Sequence, residues 1–157
     1  MTPAGMASLL ALGLAGLVAS WLDWRHRRLP NWLSAMLAVL GLAAALRYGG
    51  VELLGSSLIH AAIALCVGII LHAFGWIGGG DGKYYAAAAC WFPLGLGIAL
   101  LFCVAVAGLV LFLGWFGLRR LRRIEMELVP DNPDAAKLPY GLAIAAGSFA
   151  AAALTLP

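Results

Sequence analysis

Seven carboxylates serve this chain of 157 residues, and two of them stand where they can do chemistry. Asp81 follows three glycines in Gly78-Gly79-Gly80-Asp81-Gly82-Lys83, directly behind a long apolar run. Asp23 closes another apolar run and is followed at once by Arg25, His26, Arg27 and Arg28. A carboxylate beside hydrocarbon is costly and marks a functional site by default. Two carboxylates in one partly dehydrated pocket titrate as a pair, because like charges a few ångströms apart do not both ionise cheaply. One shared proton then supplies a general base to take a proton from water and a general acid to donate to a scissile carbonyl. The same acids also suit an ion-coupled carrier, since intramembrane acids and broken helices mark transport pathways. In a structural assembly subunit they would be spectators, and Asp23 also reads as an interfacial carboxylate paired with a neighbouring arginine. The glycines let helices or a substrate backbone come close, and they permit local unwinding.

The elements that must position these acids are membrane helices. The chain is 64% hydrophobic and only 11% charged, where a soluble domain carries about a quarter charged residues. No polar stretch is long enough for a separate soluble domain, so residues 1–157 read as a single membrane-embedded domain. Residues 4–22 are apolar enough to cross a hydrocarbon core of about 30 Å as a helix. Met1-Thr2-Pro3 lacks the basic start of a cleavable signal. After Leu29-Pro30-Asn31 a second span runs over 32–46, because proline is tolerated where a helix begins. Arg47, Tyr48, Gly49, Gly50 and Glu52 form a polar turn, and a third span covers 53–77. The region 84–118 is too long for one crossing and is broken at Trp91-Phe92-Pro93, which predicts a short fourth helix and a fifth. A sixth span covers 142–156. The expected fold is therefore all-α, a bundle of six transmembrane helices.

His60 and His72 lie within the third span and read as hydrogen-bonded packing residues. Cys66, Cys90 and Cys103 sit in apolar runs without the spacing of a metal site or a disulfide framework, so no metal and no cofactor is expected. Beyond the fifth helix, Arg119, Arg120, Arg122 and Arg123 precede Glu125, Glu127, Asp131 and Asp134. The spacing of Leu118, Leu121, Ile124 and Leu128 lays this segment along the membrane surface. Beside a span, the arginines are an orientation signal rather than a nucleic-acid patch.

Charge sets the orientation. With the first loop inside, the inner loops hold Arg25, Arg27, Arg28, Lys83, Arg119, Arg120, Arg122, Arg123 and Lys137, against Arg47 outside, nine to one. Both termini are then outside, and Asp23 and Asp81 share the cytoplasmic face.

Three stretches together carry a family resemblance. They are Asp23 with the downstream Pro30-Asn31, then Gly78 to Lys83, then Lys137-Leu138-Pro139-Tyr140-Gly141-Leu142-Ala143-Ile144. In this order they resemble the signature blocks of the prepilin peptidases, membrane aspartic proteases of the GxGD type. The resemblance implies Asp23 and Asp81 as the catalytic pair. It implies as substrate a type IV pilin-like precursor, whose basic leader is cut at the cytoplasmic face before its hydrophobic segment, typically after a glycine. Membrane lipid is the other partner, and no nucleic acid is involved. Gly78, Gly79, Gly80, Lys83, Pro30, Asn31, Pro139, Tyr140 and Gly141 are candidates for substrate binding or for shaping the site, with Tyr140 a candidate hydrogen-bond donor to an aspartate.

Two departures stand out. The family usually has Ala where Gly79 stands and an aliphatic residue at Gly82, so this loop is expected to be more flexible. The larger members' cytoplasmic domain with paired cysteines, tied to N-methylation, has no counterpart here. The chain is thus similar to the minimal peptidases of tight-adherence (Flp) pilin systems in the inner membrane. Archaeal preflagellin peptidases are of similar size.

Overall fold

The computed structural model describes residues 3–26, 30–121 and 140–155, and these are helical or in short turns, with no strand among them. In order the elements are α1 (Pro3–His26), α2 (Asn31–Ala73), α3 (Gly79–Ala89), a 3₁₀ turn (Leu94–Leu96), α4 (Gly97–Leu121) and α5 (Tyr140–Thr155). The all-α expectation holds among the described residues, while the count differs: five α-helices and a 3₁₀ turn stand where six separate helices were expected.

The difference lies in α2. A straight helix of its 43 residues would be about 64 Å long, twice a hydrocarbon core. It is interrupted by one residue, Gly50, at φ 66° and ψ −161°, a backbone conformation open in practice only to glycine. The turn is so short that the second and third expected spans become the two limbs of one element, residues 31–49 and 51–73. Contacts with α3 show that the limbs are antiparallel. At one end Lys83 meets Asn31 and Gly82 meets Gly68; at the other, Trp91 covers Gly41 and His60 reaches Phe92.

The fourth helix begins at Gly79, five residues ahead of the apolar region 84–118, so the glycine-rich stretch is its first turn and Asp81 stands at the helix start. At 11 residues it rises only about 16 Å, half of a hydrocarbon core. Its lower end is pinned on α2: Trp91 Nε1 donates to the Leu37 carbonyl at 3.0 Å, and the Leu94 amide donates to Ser56 Oγ at 2.9 Å. His60 Nδ1 donates to the Phe92 carbonyl at 3.0 Å, which makes His60 the hydrogen-bonded packing residue that was expected.

By length and apolarity, Asn31–Ala73 and Leu94–Gly117 can cross a membrane, and Ser8–Asp23 and Tyr140–Thr155 are shorter apolar helices. The interior is built largely from small side chains, with Ala19, Ala88, Ala89, Ala151 and Ala152 fully enclosed. The outside carries the large ones: Leu10, Leu14 and Leu17 on α1, Ile69 and Ile70 on α2, Leu101, Phe102, Leu109 and Val110 on α4. That arrangement suits a chain whose outer solvent is lipid and whose helices approach through small residues. Two helix groups result. α3 packs into the α2 hairpin, α5 packs between α1 and α4, and contacts between the groups are sparser.

Candidate active site

Asp81 is the third residue of α3, whose N-cap is Gly78. A cap without a side chain cannot receive the helix's first amides, so the exchange runs in one direction only. The Asp81 carboxylate folds back and accepts the Gly78 N–H, the returning half of a capping box. A Cβ on Gly78 would lie 2.7 Å from Asp81 Oδ2, so this fold-back requires glycine at 78. Asp81 is half-buried and precedes the apolar part of α3. Burial first, and then the charge of Asp23, push its carboxyl up to about 6, against the opposing pull of the Gly78 N–H.

Asp23 lies in the last turn of α1 and is 6% exposed. Its Oδ2 accepts the backbone N–H of Gly141 at 3.0 Å. Gly141 is in the first turn of α5, where amides have no acceptor within their own helix. The donor to the aspartate is thus the amide next to Tyr140. The Tyr140 hydroxyl lies instead beside α4, 3.4 Å from where a Cβ of Gly108 would stand. Lys137, Pro139 and Glu125 to Asp134 lie outside the described residues, as does the part beyond Leu121 of the segment expected along the membrane surface.

The remaining residues of the blocks form the walls. Pro30 is the N-cap of α2, with extended backbone at φ −71° and ψ 140°, one position ahead of the first turn where it was expected. Its carbonyl accepts the Leu33 amide at 3.1 Å. Lys83 Nζ donates to Asn31 Oδ1 at 3.2 Å, tying the first turn of α3 to the first turn of α2. Gly80 is in the first turn of α3.

The expectation of a more flexible loop at Gly79 and Gly82 does not describe the structure. Both glycines are helical and in contact. A Cβ on Gly79 would come 3.2 Å from His72 Nε2, and a Cβ on Gly82 would come 3.3 Å from Gly68 Cα. The chain lacks side chains there because neighbours occupy the space. Sequence reasoning named His72 as a hydrogen-bonded packing residue, without its place beside Gly79, and missed Gly68 and the Gly141 amide. Gly68 sits on one helix face with Ser57, His60 and Ala64, which are also buried, and that spacing was the available signal. A backbone amide has none. Among the described residues, no group of three or more His, Cys, Asp or Glu is placed to hold a metal ion.

A family model described as the type IV leader peptidase family matches residues 10–113. The chain belongs to that family. No curated protein and no solved structure matches it. This leader peptidase is accordingly a protease of the membrane, and its substrate is a pilin precursor. The match contains Asp23, Asn31 and the stretch from Gly78 to Lys83; Tyr140 and Gly141 lie beyond it.

Proposed function

We propose that the leader peptidase cleaves its precursor with Asp23 and Asp81 acting as one aspartic dyad at the cytoplasmic face, within a bundle that crosses the membrane six times. The observation that carries this reading is that burial and the charge of Asp23 both raise the proton affinity of Asp81. A dyad needs one carboxyl held neutral beside one held charged. Asp81, whose carboxyl burial and the Asp23 charge raise to about 6 against the pull of the Gly78 N–H, is the proposed proton donor, and Asp23, which accepts the Gly141 N–H, the proposed base.

In the reaction Asp23 takes a proton from water as the water attacks the scissile carbonyl, while Asp81 donates its proton to the carbonyl oxygen. The tetrahedral diol then collapses: the C–N bond breaks, the leaving amine takes a proton from Asp23, and Asp81 recovers its proton from the diol. Water is the only species consumed, and both carboxyls return to their starting protonation states. The basic loops place this chemistry on the inside, where the precursor's basic leader lies, and leave the termini outside. Pilins of the tight-adherence type are the proposed substrates, on the likeness carried by the three sequence blocks. The family assignment leaves the carrier reading without support.

The test is co-expression of a tight-adherence pilin precursor with wild type, Asp23→Asn or Asp81→Asn, following leader removal on a gel. Either variant processing at the wild-type rate defeats the dyad. Cysteines placed at Arg27 and Arg120 that label from outside the cell defeat the orientation.

A further inference from the structure

His72 is outside every sequence block, and the chemistry above leaves it unused. It lies in the last turn of α2, five residues before the carbonyl it binds: His72 Nδ1 lies 3.1 Å from the Ile77 oxygen. A carbonyl oxygen only accepts, so Nδ1 carries the proton and donates. The Nε2–Cε1 edge of the ring lies over Gly79, 3.2 and 3.3 Å from where a Cβ there would stand. The imidazole, though exposed, thus bridges the end of the α2–α3 link and the first residue of α3.

The Ile77 carbonyl and the Gly78 amide are the two ends of a single peptide group. They are rigidly coplanar and point in opposite directions. The Gly78 N–H is the donor that the Asp81 carboxylate accepts. Fixing the carbonyl end therefore fixes the direction of the amide end. The link needs such a fastening, because it contains Gly75 at φ 74° and depends otherwise on the helix-end bonds Gly75 N–H to His72 O and Trp76 N–H to Leu71 O.

We propose that His72 is a positioning residue for Asp81, acting through the 77–78 peptide as a relay: His72 Nδ1–H to Ile77 O, Gly78 N–H to the Asp81 carboxylate. The inference rests on the catalytic reading of Asp81 for its effect on cleavage, but not for the relay. Hydrogen bonds in series polarise one another, so the imidazole also strengthens the donor that Asp81 receives. The relay explains the glycine at 79 as well. An alanine there would press on the ring and tilt the peptide it holds.

The substitutions separate a held peptide from mere packing. Asparagine places an amide donor close to the position of Nδ1, while leucine fills space without a donor. Full-length His72→Leu is expected to lower kcat about tenfold with KM for the precursor within twofold, and His72→Asn to recover most of the rate. Gly79→Ala is expected to lower kcat in the wild-type background and to cost much less alongside His72→Asn, whose shorter side chain leaves the Cβ room. Amide hydrogen exchange over residues 74–82 is expected to rise in His72→Leu and to return in His72→Asn. Equal loss of rate in His72→Leu and His72→Asn, or unchanged exchange in His72→Leu, overturns the proposal. Asp81→Asn in the same cleavage assay reports on the dyad separately, and the exchange measurement tests the relay even if that variant still cuts.

Discussion

Gly82→Ala sets two familiar effects against each other at one position. On propensity alone, alanine in place of a helical glycine stabilises by about 1 kcal/mol. Against it stands the contact with the second limb of α2. The new Cβ would lie 3.3 Å from Gly68 Cα and 3.4 Å from both Gly68 C and Ile77 Cδ1. Carbon atoms rest at about 3.5–4.0 Å, so α3 must retreat by roughly 0.2–0.7 Å. Two of the three obstacles are backbone and do not rotate away. Overpacking of this kind costs about 1–3 kcal/mol, which leaves a net loss of roughly 0–2 kcal/mol. The larger consequence is catalytic, because the residue before Gly82 is Asp81. Misplacement by about 1 Å costs on the order of a hundredfold in rate, so half that shift costs about tenfold. The assay pairs denaturant unfolding in detergent with kcat on a purified precursor. Gly114→Ala in α4 is the reference, since nothing lies within 4 Å of its Cβ position. It should gain up to about 1 kcal/mol and cleave normally. If Gly82→Ala behaves like Gly114→Ala, the close approach of α2 and α3 does not position Asp81.

Three further outcomes are expected. Cleavage should fall as pH rises through about 6, because the raised carboxyl of Asp81 loses the proton it donates; a kcat/KM profile still rising there contradicts the assignment of Asp81 as the acid. Gly147→Ala should cost about 3 kcal/mol or more of stability, at or above the top of the overpacking range, because the Cβ would come 2.7 Å from the Val104 backbone N. Adding Val104→Ala should not rescue it, and detergent unfolding reads both. Trp91→Phe removes the donor to the Leu37 carbonyl and should lower stability by about 1–3 kcal/mol with leader cleavage retained at permissive temperature, as followed by the same unfolding assay and a gel.

How far the chain could be read depends on the range over which each feature is encoded. Gly49-Gly50 amid polar residues announced a reversal, and Gly50 makes it, because only glycine accepts that backbone. Pro93 after Trp91-Phe92 announced the end of the fourth helix for an equally local reason. Where α3 starts was less legible: glycines argue against a helix by propensity, and tertiary contact with α2 overrides them. The same glycines at 79 and 82 read as freedom, since nothing local reports that His72 and Gly68 fill the space. The pairing of Asp23 with Gly141 spans 118 residues and uses a backbone donor, which every residue but proline carries. Charge and apolarity suggested that the two acids share a face; which amide would hold each one had to come from packing.

The bond between Asp23 and Gly141 joins the first helix of the chain to the last. A membrane protein is made and inserted from its N-terminus, so both carboxylates are in place long before the amide that holds one of them exists. A nascent chain carrying α1 to α4 has not yet formed this bond, which as a hydrogen bond to a carboxylate is worth about 1.5–3 kcal/mol. On the proposed dyad, cleavage is expected only once α5 has docked beside Asp23.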